Sequence, residues 1–112
     1  GDIILKTFAS LLLKLTRDTD TIGRYGGEEF IAILEYKNNE ELYKYIERIK
    51  SVVTKNKFIY KEQKIEIKFS AGVEIRSNCK TTNDTVVNAD RLLYDAKHSG
   101  RNKIIFWNNK EI

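Results

Sequence analysis

Gly26-Gly27 followed directly by Glu28-Glu29 is the stretch of this chain whose residue types best suit chemistry. A glycine pair supplies positive φ without steric cost and leaves no side chain to obstruct a ligand. Two carboxylates beside such a turn suit a divalent cation that bridges to phosphate, because Mg²⁺ takes one or two carboxylates and completes its shell with phosphate oxygens and water. The four residues sit inside Ile22–Leu34, which reads Ile-Gly-Arg-Tyr-Gly-Gly-Glu-Glu-Phe-Ile-Ala-Ile-Leu, the pattern of a tight β-hairpin. Successive strand side chains alternate in direction, so at least one of Glu28 and Glu29 stays near the hairpin mouth. Phe30–Leu34 is unbroken apolar sequence, as expected of a strand buried on both faces. Taken alone, the four residues fit better a solvated tip whose two acids keep it soluble.

Two further groupings carry charge at suggestive spacings. Lys97 and Arg101 lie four apart near the end of a helical pattern, where both reach one face and could hold a polyphosphate, Arg by its fork and Lys as a point charge. Spacing alone favours the simpler reading, that cations there complement the helix dipole. Arg17-Asp18-Thr19-Asp20 precedes the hairpin. Taken alone, this short string reads as a surface ion pair between Arg17 and Asp20.

Arg-Tyr-Gly-Gly-Glu-Glu-Phe followed by a hydrophobic strand closely resembles the signature of the GGDEF family of diguanylate cyclases, in which Glu commonly replaces Asp at the third position, as Glu28 does here. The run Ala89-Asp90 through Leu93-Tyr94, Ala96-Lys97 and Gly100-Arg101-Asn102 resembles the family's second hallmark, and Phe69-Ser70-Ala71-Gly72-Val73 its Ser-x-Gly strand, for which a structural role is expected. Arg17-x-x-Asp20 has the form of the family's inhibitory product site, with Asp20 six residues before Gly26, and Arg48 sits where some members add an arginine to that site.

The resemblance implies a domain that condenses two GTP into cyclic di-GMP and pyrophosphate, as a homodimer and with Mg²⁺ or Mn²⁺. It implies that Glu28 is a metal ligand and proton acceptor, and that Glu29 assists the metal. Asp2, Gly26, Gly27, Lys97 and Arg101 contact substrate, and Arg17, Asp20 and Arg48 bind cyclic di-GMP at the inhibitory site. It also implies that an upstream Asp-x-Asp-x-Phe-Lys strand and an Asn-Asp-x-x-Gly-His turn belong before this chain, which starts at the Gly1-Asp2 closing the latter. On that reading the chain is the C-terminal two-thirds of a domain, inactive alone and prone to pair through the exposed edge of Phe30–Leu34. A degenerate module that senses cyclic di-GMP, or serves only in dimerisation, is the alternative.

The elements that must position these groups can be read from periodicity. Ile4, Phe8, Leu11, Leu12 and Leu15 form the stripe of a helix over Ile3–Thr16, with Asp2 at its N-cap. A second helix starts at Asn38-Asn39-Glu40-Glu41 and runs to about Lys55, burying Leu42, Tyr45, Ile46, Ile49, Val52 and Val53. Ile65–Ile75 alternates completely, predicting one half-covered strand with Glu66, Lys68, Ser70, Gly72 and Glu74 facing away, and Phe58–Tyr60 pairs with its start across a turn near Glu62-Gln63. Asn83–His98 is a third helix, stopped by Gly100, and Ile104–Trp107 a last strand. The order predicts an α+β domain with an antiparallel-rich central sheet flanked by helices, the ferredoxin-like core of nucleotidyl cyclases.

Composition agrees with one soluble domain over residues 1–112, at 41% hydrophobic and 32% charged residues. Twenty basic against sixteen acidic residues is too mild an excess to argue for a nucleic-acid partner. The absence of any spanning segment predicts a cytoplasmic domain without membrane contact, any anchor belonging to the parent protein. Cys79, the single cysteine, and His98, the single histidine, are read as a loop residue and a solvated helix-end residue.

Overall fold

The second and third helices of this chain begin where a short polar side chain accepts an amide hydrogen bond. The Asn38 side chain accepts from the Glu41 amide at 2.8 Å and starts α2 (Asn39–Lys55), with Glu40 and Glu41 in its first turn. The Thr81 hydroxyl accepts from the Asp84 amide at 3.0 Å and starts α3 (Thr82–His98). The computed structural model describes residues 2–112, Asp2 by its backbone alone. It divides into two compact units, one ending at Ile67 and the other beginning at Lys68.

In the first unit α1 (Asp2–Leu15) is followed by the antiparallel hairpin β1 (Thr21–Gly26) and β2 (Glu29–Ile33), then α2, then a second hairpin of β3 (Phe58–Tyr60) and β4 (Gln63–Ile65). Leu42, Ile46, Ile49 and Val53 are buried along one face of α2, at the 4-3-4 spacing of a helical stripe, and Leu12 of α1 is buried as well. Phe8 meets Phe30 edge-to-face with ring centroids 5.7 Å apart, which links α1 to β2.

The second unit places β5 (Ala71–Val73) parallel to β6 (Ile104–Phe106), with α3 running between them in sequence and packing on both. Leu92 and Ala96 of α3 are buried, as are all three residues of β6. The chain then turns back through Asn109, in left-handed conformation, so that Ile104 and Ile112 exchange backbone hydrogen bonds of 3.0 Å. This return covers one side of β6.

The α+β class is as expected, but the sheet is distributed. Three two-stranded sheets are present among the described residues, two antiparallel and one parallel. The continuous strand expected over Ile65–Ile75 is broken, because its two ends pair with different partners: β4 with β3, and β5 with β6. Its alternation holds only to Lys68, with Ile67 buried and Glu66 and Lys68 exposed. Gly72, expected on the outward face, packs against α3: a Cβ there would lie 2.2 Å from the Ala89 carbonyl oxygen. Phe30–Leu34 is likewise not buried on both faces, since β2 pairs with β1 alone among the described residues and Ile33 is 60% exposed.

The turn of the second hairpin lies at Lys61-Glu62, one residue earlier than expected, with φ of 51° and 66°. Paired positive φ values match a type I′ turn, which Asn-Gly adopts with little strain and Lys-Glu does not. Lys61→Asn with Glu62→Gly is expected to add about 1 kcal/mol of stability. A thermal melt should show this as a rise of roughly 4–8 °C; an unchanged or lower midpoint would contradict it.

Candidate functional site

The tip of the β1–β2 hairpin is built by a shift in strand register. Pairing runs regularly from Thr21 opposite Ile33 to Arg24 opposite Phe30, then slips so that Gly26 faces Glu29. Gly27 lies in the left-handed region at φ 50°. A Cβ on either Gly26 or Gly27 would meet nothing within 4 Å, so the surface over the turn is open. Two nitrogens of the Arg24 guanidinium donate to the Gly27 carbonyl oxygen, Nε at 2.9 Å and the second closer. Arg24 thereby fixes which way the turn presents its peptide groups. Glu28 sits exposed in the turn, and Glu29 is half-buried at the start of β2.

Glu28 and Glu29 can together offer a cation the one or two carboxylates that Mg²⁺ takes when phosphate oxygens and water fill its remaining positions. Among the described residues no cluster of three or more His, Cys, Asp and Glu side chains could hold a metal ion unaided. By donor type alone, the Glu28 and Glu29 carboxylates fit a cation whose remaining positions are filled by phosphate oxygens and water. The side chain of Asp2, expected to cap α1 and to contact substrate, lies outside the described residues.

Arg17 and Asp20 are joined as expected, within a larger network. The Asp20 side chain is fully covered. Its Oδ2 accepts from the Arg17 amide at 3.0 Å and from Arg17 Nε at 3.5 Å, and its Oδ1 accepts from the Glu35 amide at 3.3 Å. Lost solvation opposes ionisation of Asp20, but the Arg17 and Glu35 amides and the Arg17 side chain outweigh it and hold the carboxyl below its usual range. A further Arg17 nitrogen donates to the Glu35 carbonyl oxygen, and Nη1 lies 3.6 Å from Glu41 Oε1. The guanidinium carbon stands 4.4 Å from the centroid of the Tyr36 ring and 5.8 Å from that of Tyr45. The Tyr45 hydroxyl donates to the Leu15 carbonyl, and burial pushes both phenols up. Arg48 is exposed on α2, close enough for its charge to act on the Tyr45 phenol.

In the second unit α3 ends in a Schellman motif, with Gly100 at φ 115° and the Arg101 amide donating to the Ala96 carbonyl at 3.0 Å. Arg101 itself is left-handed at φ 57°. The helical i, i+4 relation expected of Lys97 and Arg101 therefore does not hold, because the helix stops at His98 before it reaches Arg101. Lys97 is half-buried and Arg101 exposed. The Ser70 hydroxyl accepts from the Asn102 amide at 3.0 Å, so the Ser-x-Gly stretch fixes this turn as a structural element. His98 is exposed, stacked on Tyr94 at 3.8 Å, with Nδ1 2.8 Å from the Tyr94 carbonyl oxygen.

Sequence reasoning missed Arg24 as the clamp of the tip, and Glu35, Tyr36, Glu41 and Tyr45 as the surroundings of Arg17. Arg24 lies three residues before Gly27, within reach of a turn carbonyl, which was a usable signal. The Arg17 surroundings come from segments up to 28 residues apart, 45 minus 17, and carry no local signature. Among the described residues no helix is long and apolar enough to cross a membrane.

The family model described as "Diguanylate cyclase, GGDEF domain" matches residues 1–103. The diguanylate cyclase DgcZ of Escherichia coli K12 is 38% identical over 113 aligned residues, covering 100% of this chain and 38% of that protein. The chain thus spans well under half the length of that relative. The crystal structure of the GGDEF domain of DgcB from Caulobacter crescentus, in complex with c-di-GMP, superposes with a TM-score of 0.81 at 24% identity, over 95% of this chain and 64% of that one. At that identity the likeness speaks for the fold. The active GGEEF domain of a diguanylate cyclase from Vibrio cholerae superposes with a TM-score of 0.73 at 29% identity, over 96% of this chain and 68% of that one.

Proposed function

The chain belongs to the diguanylate cyclase GGDEF domain family, and from that premise we propose that it forms part of a catalytic domain condensing two GTP into cyclic di-GMP and two pyrophosphates. The observation that carries the reading is the hairpin tip: two glycines with open space above them, a turn carbonyl clamped by Arg24, and Glu28 and Glu29 alongside. Gly26 and Gly27 let nucleotide phosphates approach the backbone. Glu28 and Glu29 would hold Mg²⁺ or Mn²⁺, which when bound neutralises charge on the phosphate oxygens. Glu28, exposed at the turn, accepts the proton of the attacking 3′-hydroxyl. Lys97 and Arg101 hold phosphates and offset the charge of the transition state, and Asp2 reads guanine. Each domain carries one GTP, so the reaction requires a homodimer, and the supply of GTP sets the domain in the cytoplasm. Cyclic di-GMP returns to Arg17 and Arg48 as an inhibitor, with Asp20 orienting Arg17.

The chain alone is expected to bind GTP only with the cation, and to turn over no GTP without the rest of its domain. Calorimetric titration with GTP and Mg²⁺ tests the site directly. Glu28→Gln should weaken Mg²⁺-dependent binding roughly tenfold, the loss of one charged contact to the cation. Equal affinity of the variant and the wild type, or binding indifferent to Mg²⁺, would remove Glu28 from the metal site. In the complete protein, release of two pyrophosphates per cyclic di-GMP distinguishes a cyclase from a module that only binds the product.

A further inference from the structure

Arg17 lines an open cleft of about 320 Å³ together with Thr19, Glu35, Tyr36, Lys37 and Glu41. Most of its guanidinium is already committed. Nε is used by Asp20, one terminal nitrogen by the Glu35 carbonyl, and one face lies against Tyr36. What remains for a ligand is the Nη1 side, and there Glu41 Oε1 stands 3.6 Å away. The two side chains are 43% and 38% exposed, so both ions stay in contact with water. An ion pair of that exposure and distance is weak and can be exchanged for a phosphate that binds arginine in a forked geometry.

We propose that Glu41 is a built-in competitor for the Arg17 guanidinium, a carboxylate that an anionic cyclic dinucleotide must displace before it can fill the site. Glu41 occupies the vacant side of Arg17 and holds the side chain in place when no ligand is bound. It therefore raises the ligand concentration at which the site responds. Lys37, on the same cleft, is a second cation for the incoming phosphate. Glu41 is suited to this because its backbone is held independently, its amide donating to Asn38, so the side chain can move without unwinding α2. The inference rests on the product-site reading above.

The test is calorimetric titration of the chain with cyclic di-GMP. Glu41→Gln should bind three- to fivefold more tightly than the wild type, the range set by the strength of an exposed ion pair. Glu40→Gln makes the same charge change one residue earlier, on a side chain paired with Lys44 at 3.3 Å, and should bind as the wild type does. The Glu41 gain should vanish in an Arg17→Ala background. If the wild type binds in an Arg17-dependent manner but Glu41→Gln gives no gain, or Glu40→Gln gives the same gain, the competitor role is overturned while the product site stands. Binding that ignores Arg17, or no binding by any variant, overturns the product site and the inference together.

Discussion

Gly72→Ala is expected to destabilise the second unit by about 3 kcal/mol or more, at the upper end of the cost of overpacking. The added methyl would lie 2.2 Å from the Ala89 carbonyl oxygen, 2.5 Å from the Leu93 amide nitrogen and 2.8 Å from the Leu92 Cβ. Two of those neighbours are backbone of α3 and cannot rotate away. Relief requires moving α3 off β5, and α3 carries Leu92 and Ala96 into the apolar cluster with Ile105. Trp107, the single tryptophan, packs edge-to-face on the buried Phe106 in this same unit, so its fluorescence reports the loss directly. The midpoint of a thermal melt should fall by roughly 10–20 °C. Gly23→Ala is the matched control, because its Cβ would meet only the Ile31 Cγ2 at 4.0 Å, and it should stay within about 0.5 kcal/mol of the wild type. Equal melts for Gly72→Ala and Gly23→Ala would mean that the helix is not seated as described.

This position shows where the sequence was legible and where it was not. The helix over Asn39–Lys55 was readable because its cap, its acidic first turn and its apolar stripe all agree, and each signal is local. The extended Ile65–Ile75 reading failed because alternation reports side-chain direction, whereas a strand also needs a ladder partner, and partners lie far along the chain. Gly72 looked outward by parity, yet what decides its surroundings is the close approach of α3. The same division holds at the candidate site. Gly26, Gly27, Glu28 and Glu29 are contiguous, so their shared turn could be read directly. For Lys97 and Arg101 the spacing suggested one helical face, and Gly100, itself recognised as a helix stop, was the residue that should have separated them. The sequence presents Asp20 as half of a surface ion pair or a ligand contact, whereas its side chain is covered and its second oxygen is held by the amide of Glu35, fifteen residues on.

That burial gives Asp20→Ala the second large effect, a loss of about 2–3 kcal/mol, the cost of deleting a charged acceptor that serves several donors. The substitution strands the Arg17 and Glu35 amides and leaves the Arg17 guanidinium without its covered counter-ion. Because Arg17 precedes β1 and Glu35 follows β2, the carboxylate ties together the two ends of the hairpin that carries Glu28 and Glu29 at its tip. The pH dependence has a definite sign. The folded state lowers the Asp20 pKa, so this stabilisation is complete above the unfolded carboxylate value of about 3.9 and is lost as pH falls through the lower folded value. Melting curves of the wild type and Asp20→Asn should therefore stay a constant distance apart from neutral pH down to about pH 4, then converge under stronger acid. A gap that persists in acid would assign the effect to packing of the side chain rather than to its charge. Both Asp20 oxygens are already engaged within the fold, so at the proposed product site its part would be to hold the Arg17 guanidinium beside Tyr36. Asp20→Asn should accordingly weaken cyclic di-GMP binding in the wild-type background and leave an Arg17→Ala background unchanged.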